Sequence, residues 1–169
     1  ANGTHGQVTI VNAKVVYVPT AGFVGTDTFS YTVISGGRQE TALVTVEVWN
    51  TAPQSAPYFV SADEDHVVTG NVLANDSDLD GDQLKVVSFT VGSDLTVYQA
   101  GGAVTLAGMG TFVLQTNGTY TFRPVADWNG SLPDIRYTAT DGNTNGESSN
   151  ILRISLRPVQ DARDDRVST

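Results

Sequence analysis

The segment from Gly6 to Gly36 recurs, with changes, from Gly110 to Gly142, and self-similarity of this kind reads as an array of like units. Tyr17 matches Phe122 or Tyr120, Pro19 matches Pro124, Phe23 matches Trp128, and Gly25 matches Gly130. Phe29, Tyr31, Ser35 and Gly36 then match Ile135, Tyr137, Asp141 and Gly142. The offset is about 105 residues, drifting by one or two at loops, which is the length of one antiparallel β-sandwich.

After the second copy, Gln160-Asp161-Ala162-Arg163 stands where Asn50-Thr51-Ala52-Pro53 stands after the first, and Val167-Ser168-Thr169 echoes Val60-Ser61-Ala62. Residues 1–52 are therefore expected to hold the C-terminal half of one sandwich, 53–160 a complete one, and 161–169 a linker and the start of the next. The half unit should leave one inner sheet face without its opposing sheet, and an unpaired edge beside it. Homo-association through another copy is expected to cover them in this segment alone, and the N-terminal half of the same unit in a parent protein; the alternative is closure on the linker and Trp49.

Valine, threonine and glycine dominate and helix-forming stretches are scarce, so propensity and pattern give an all-β chain. Apolar runs bounded by turn residues predict strands at Val8–Val11, Val15–Val18, Thr28–Ile34 and Ala42–Trp49 in the half unit. In the complete unit they predict Val67–Leu73, Leu84–Val91, Leu95–Tyr98, Val104–Leu106, Thr111–Leu114, Thr119–Phe122, Ile135–Ala139 and Ile151–Leu156. Asn117-Gly118 predicts a hairpin with a two-residue type I′ turn.

Several function classes are excluded by composition. There is no cysteine, so packing, hydrogen bonds and oxygen-ligated ions must hold the fold. Lys and Arg total 9 against 18 Asp and Glu, a formal charge of −9 that repels nucleic acid. No apolar run reaches the roughly 18–20 residues of a membrane-spanning helix, so membrane insertion is not expected. His5 and His66 lie in no recognisable motif, which leaves neither a zinc site nor a nucleophile, base and orienter for catalysis. The chain is expected not to be an enzyme.

The most specific motif is Asn75-Asp76-Ser77-Asp78-Leu79-Asp80-Gly81-Asp82. Alternating carboxylates converge when the backbone curls, and Gly81 permits the sharp turn, as in the first half of an EF-hand loop. The twelfth position counted from Asp76 is Val87 rather than glutamate, so the remaining oxygens for a Ca2+ ion must come from elsewhere in the fold. Asp141, Asn143, Asn145 and Glu147 are the candidates. The plain alternative for both loops is an acidic, solvated turn. Asp63-Glu64-Asp65 and the group of Asp161, Asp164 and Asp165 are further acidic clusters, balanced between ligand sets and polar linkers.

Asp63-Glu64-Asp65, Asn71-Val72-Leu73-Ala74-Asn75-Asp76, Asp80-Gly81-Asp82, Thr119-Tyr120-Thr121-Phe122-Arg123-Pro124 and Tyr137-Thr138-Ala139-Thr140-Asp141-Gly142-Asn143 together closely resemble the tandem immunoglobulin-like and cadherin-like β-sandwich repeats of RTX adhesins. Ala21-Gly22-Phe23-Val24-Gly25-Thr26-Asp27-Thr28-Phe29-Ser30-Tyr31 extends the resemblance into the half unit. It implies antiparallel sandwiches in tandem, export by type I secretion to the bacterial cell surface, and a role in adhesion and biofilm formation with calcium rigidifying the repeats. The candidate metal ligands are Asp76, Asp78, Asp80, Asp82, Asp141, Asn143, Glu64 and Asp161; by analogy with cadherins the loop of Asp76 to Asp82 and Asp141 would face the preceding unit, and Glu64 and Asp161 the next. The family's Asp-Gly pair is replaced here by Ser35-Gly36-Gly37-Arg38, and its Asn-Asp-Ala-Pro linker by Asn50-Thr51-Ala52-Pro53. Each change removes a carboxylate, so the equivalent site in the first unit is not expected.

The expected function is an extender that contacts neighbouring repeats. The alternative is a binding module gripping polysaccharide, a host surface ligand or another copy, which a cluster of exposed aromatics beside polar loops would favour. Trp128 occupies the place of Phe23 and is expected to pack; Trp49, beside the linker, is expected to pack between units.

Overall fold

Alternating side chains and frequent turn residues give strands throughout, and no helix occurs among the described residues. The computed structural model describes residues 3–160. In the first unit, β1 (Gly6–Val11) and β2 (Lys14–Pro19) form one antiparallel hairpin, and β3 (Gly25–Ser35) and β4 (Arg38–Val48) form another. Both turn through two residues of positive φ: Asn12 (49°) and Ala13 (61°), then Gly36 (56°) and Gly37 (76°). That is type I′ geometry, whose twist matches that of the strands it joins.

The second unit comprises β5 (Tyr58–Asp63), β6 (Val68–Asn71), β7 (Lys85–Val91), β8 (Tyr98–Gln99), β9 (Ala103–Leu106), β10 (Gly110–Leu114), β11 (Thr119–Pro124), β12 (Gly130–Ser131), β13 (Ile135–Thr140) and β14 (Glu147–Arg157). One sheet runs β6-β11-β10-β9 and the other β12-β14-β13-β7-β8, with β5 pairing parallel to β14. Their inner faces supply Val86, Phe89, Phe112, Leu114, Tyr120, Phe122, Ile135, Tyr137, Leu152 and Ile154, all at most 2% exposed. Each such burial contributes roughly 1.5–3 kcal/mol, which makes this core the main source of stability.

Strand register relates the two units residue by residue. Gly6 pairs with Pro19 as Gly110 pairs with Pro124, and Phe29 pairs with Val44 as Ile135 pairs with Leu152. Thus β1 and β2 correspond to β10 and β11, β4 corresponds to β14, and β3 corresponds to β12 and β13 together. The second unit breaks that long strand at Leu132-Pro133-Asp134, where proline has no N–H to give the ladder. The expectation of a single face without its opposite sheet needs correcting: each hairpin belongs to a different sheet, and both sheets are two strands wide. Among the described residues the first unit has no counterpart of β5–β9. Leu114 is fully buried, whereas Ile10, its register equivalent, is 74% exposed.

Other differences have local causes. Only Gly118 (φ 82°) of Asn117-Gly118 is left-handed, and its N–H bonds to Gln115 O at 3.0 Å. The hairpin is there, but its turn is type I followed by a left-handed glycine rather than type I′. Of the run Leu95–Tyr98 only Tyr98 is in a strand, because Asp94 accepts from Thr96 N and Oγ1 and turns the chain while Leu95 points to solvent. β5 escaped prediction because outward Phe59 blurs an alternation whose inward members are Tyr58, Val60 and Ala62.

The two hairpins of the first unit are joined by Asp27, which is buried. Its carboxylate accepts from Thr4 N and Oγ1, His5 N, Tyr17 Oη and its neighbour Thr28 N, and Tyr17 stacks on Phe29 at 5.8 Å. Burial alone would raise the Asp27 carboxyl, but these donors outweigh it and hold it well below the usual carboxylate range. A depressed folded pKa means the stabilisation is complete above the unfolded pKa and lost as pH falls through the folded one. The first unit is therefore expected to lose amide protection on acidification from about pH 5 to about pH 2. Asp27→Asn should weaken protection at neutral pH and flatten that acid dependence, as read by hydrogen exchange over β1–β4; an unchanged acid profile would assign the effect to other carboxylates.

Candidate functional site

The acidic loop lies between β6 and β7, where the chain curls from the end of one sheet to the other, and β13 delivers the 141–146 turn to the same pole. Asp78 Oδ1 accepts from the backbone N–H groups of Asp80 (2.9 Å) and Asp82 (3.1 Å), which curls the loop around it. Asn143 Nδ2 donates to Asp82 Oδ2 (2.8 Å), and Asn143 N donates to Asp141 Oδ1 (2.7 Å). The linker completes the circuit: Asn50 Nδ2 donates to Asp141 Oδ2 (2.9 Å), and Thr51 N donates to Asp80 Oδ2 (2.6 Å). Hydrogen bonds therefore close a ring through Asn50, Thr51, Asp80, Asp78, Asp82, Asn143 and Asp141, at the end of the second unit that meets the first.

This ring is rich in oxygen and poor in cations. The ion pairs among the described residues, Arg153–Asp134 and Arg157–Asp63, lie elsewhere. Two ring oxygens, Asp78 Oδ2 and Asn50 Oδ1, are buried without any hydrogen-bond donor from the described residues, an arrangement that costs free energy unless a water or a cation satisfies it. No group of three or more acidic, histidine or cysteine side chains among the described residues is gathered as a ready-made metal site. The donor set is instead divided between carboxylates and amide oxygens, which is the chemistry of a hard cation rather than of zinc.

Asp76 and Glu64 have other partners. Asp76 accepts from Ala56 N (2.9 Å) and from Tyr137 Oη (3.0 Å), tying the linker to the core; burial pushes its carboxyl up, against the pull of these bonds. Glu64 is 4% exposed at the opposite pole, accepting from Asn129 Nδ2 (2.8 Å) and Val159 N (2.7 Å). Asp65 there accepts from Asp127 N. Asp161 lies outside the described residues. Asn145 takes a left-handed turn conformation and Glu147 is exposed at the start of β14. Sequence reasoning missed Asn50 and Thr51 as members of the site, treating them as linker only. It also missed Gly146, where a Cβ would lie 1.8 Å from Asp141 Oδ1, so that a larger residue there would push the Asp141 carboxylate out of the ring.

The linker is clamped rather than loose. Gln54 and Ser77 exchange backbone hydrogen bonds of 2.8 and 3.0 Å, Asn150 Nδ2 donates to Ser55 O, and Ser55 and Ser148 are hydroxyl partners. Trp128 packs edge-on against Phe122 at 5.7 Å. Trp49 departs from expectation: it is 76% exposed rather than buried between units.

Two family models agree with this architecture. Residues 50–158 match the bacterial cadherin-like domain and residues 1–47 a bacterial Ig domain. No curated protein matches. Among solved structures, an endo-fucoidan hydrolase of glycoside hydrolase family 107 aligns with 94% of this chain at 15% identity and a TM-score of 0.39, and the chain spans 23% of its length. A SusE-like surface located polysaccharide binding protein from the Bacteroides thetaiotaomicron heparin utilisation locus aligns with 90% of the chain at 12% identity and a TM-score of 0.39, with 32% of its own length covered. The titin domains Z1Z2, in complex with telethonin, align with 93% of the chain at 13% identity and a TM-score of 0.34, with 74% of their length covered. On the match over residues 50–158, more than half of the chain, the chain belongs to the bacterial cadherin-like domain family.

Proposed function

We propose that the chain is a calcium-stabilised extender segment of a secreted bacterial surface adhesin of the RTX type, serving cell adhesion and biofilm formation from outside the cell. Bacterial cadherin-like and Ig domains are typically structural modules rather than catalysts. The observation that carries the calcium reading is the junction ring, with two buried oxygens that no donor reaches. Asn50, Asp78, Asp80, Asp82, Asp141 and Asn143 would hold the ion, whose charge offsets the repulsion among four carboxylates. Because Asn50 and Thr51 belong to the linker and the other members to the second unit, strengthening the ring stiffens the joint. Glu64 and Asp161 are proposed to serve the following joint in the same way.

Thermal melts with calcium chloride and with EDTA test this. Extracellular modules bind calcium at roughly 10⁻⁴–10⁻³ M, so an ion at about 100 times Kd adds about 2.7 kcal/mol. The second unit's Tm should then rise by about 10 °C. Asp80→Ala with Asp82→Ala should remove most of that rise while leaving the melt in EDTA little changed. A full calcium response in the double variant would move the site elsewhere, and no response in the parent chain would end the calcium reading.

A further inference from the structure

We propose that Trp49 is the stacking platform of a glycan-binding site at the junction, one that takes an uncharged pyranose polysaccharide. This goes beyond the spacer role and does not rest on calcium binding. Register assigns the side chain's direction: Val48 corresponds to Leu156, which is 3% exposed, so Trp49 corresponds to Arg157, which is outward and ion-paired with Asp63. Arg157 keeps 65% of its side chain exposed even beside Asp63 of β5, so the fold asks only for a largely solvated side chain here. A large aromatic at a position where the repeat tolerates arginine gains nothing by packing within its own unit.

The surroundings fit a sugar. Trp49 borders two clefts of about 260 and 280 Å³: one runs past Val24 and Glu47, the other leads to Asn50, Asp80 and Asp82. Both are smaller than the roughly 300–1,000 Å³ pockets that enclose a drug-sized ligand, so they suit a single ring lying on the surface while its polymer continues in solvent. The apolar C–H face of an all-equatorial pyranose stacks on an indole, and its edge hydroxyls find acceptors in the flanking carboxylates. Those carboxylates and the net charge of −9 disfavour an acidic polymer, and a second copy of the chain for the same reason.

The test is affinity electrophoresis of the whole chain in native gels containing hydroxyethylcellulose, xyloglucan, galactomannan or laminarin, with polygalacturonate as the acidic control, each run in calcium and in EDTA. At least one neutral glycan should retard the chain, in either buffer, and more strongly than the acidic control. Trp49→Ala should weaken that retardation at least about tenfold, as loss of a hot-spot aromatic does, with the melt and its calcium response unchanged. Trp128→Phe, which installs the residue type found at Phe23, should keep binding and leave Trp49 as the sole tryptophan, whose fluorescence should shift on titration with a hexasaccharide of the retarding glycan. Absence of retardation in both buffers, or full retardation in Trp49→Ala, overturns the proposal. So does a change in sedimentation on removing Trp49, which would make it a contact between copies. A lost calcium response with intact retardation would count against the calcium reading alone.

Discussion

Truncating Leu114 to alanine is expected to destabilise the second unit by about 2–5 kcal/mol, whereas truncating Ile10, at the same register position in the first unit, should change stability by less than about 0.5 kcal/mol. Leu114 is fully buried between Phe112, Tyr120 and the opposite sheet, so its loss leaves a cavity as well as forfeiting transfer free energy. Ile10 occupies the matching place with 74% of its surface already in water, so there is little burial to lose. Thermal or denaturant melts of the two variants would show a fall of about 10 °C or more for Leu114→Ala and almost none for Ile10→Ala. Equal losses would mean that the first unit is as enclosed as the second.

The same pair reports on what covers the open face. The inner side of β1–β3 forms a cleft of about 590 Å³ lined by Val8, Ile10, Val15, Tyr31 and Val33, and both sheets of the first unit end in unpaired edges. In the second unit the equivalent edges are taken by β6 and β9 on one sheet and by β7 and β5 on the other. A second copy docking on this face would bury Ile10, so the cost of Ile10→Ala would grow with protein concentration and sedimentation would show a larger species. Closure on Trp49 is disfavoured by that residue's outward direction.

The sequence carried the strands of the second unit well where alternation was clean, as in Thr111-Phe112-Val113-Leu114, because period two and a two-sided sandwich leave one solution. It carried the repeat better still, since glycine, proline and aromatic positions recur at one offset. It failed where an outcome depends on distant partners. Nothing local reveals that Asp76 is spent on Tyr137 and Ala56 rather than on the acidic loop, because those bonds span 61 and 20 residues. Asn50 and Asp141 meet across 91 residues of chain, a contact that only the assembled sandwich makes. Trp49 was misread for a different reason: hydrophobicity predicts burial on average, but the position just past the end of β4 matches outward Arg157, and that match requires the register.

Replacing Gly110 by alanine should be among the most damaging single changes in the second unit, at about 3 kcal/mol or more. Gly110 has φ 150°, outside the range alanine favours, and an added Cβ would stand 2.1 Å from Arg123 O and 2.8 Å from Pro124 Cα. Those are backbone atoms of the paired strand, so relief requires the end of the β10–β11 hairpin to open rather than a rotamer to change. Gly6, the register equivalent, has no positive φ, and its added Cβ would meet the Tyr17 ring at 2.4 Å. A ring can swing aside, so Gly6→Ala should cost distinctly less and chiefly loosen the Tyr17–Asp27 bond. Opening at Gly110 has a further consequence, because the chain leaving Pro124 is held by Val125 N to Met109 O and then supplies Asp127 and Asn129 to Asp65 and Glu64. Hydrogen exchange should therefore show Gly110→Ala releasing the amides of Val125, Asp127 and Val159 at the far pole while the junction ring stays protected. A variant that melts within about 2 °C of the parent, with that pole intact, would show that the strand end tolerates the methyl without opening.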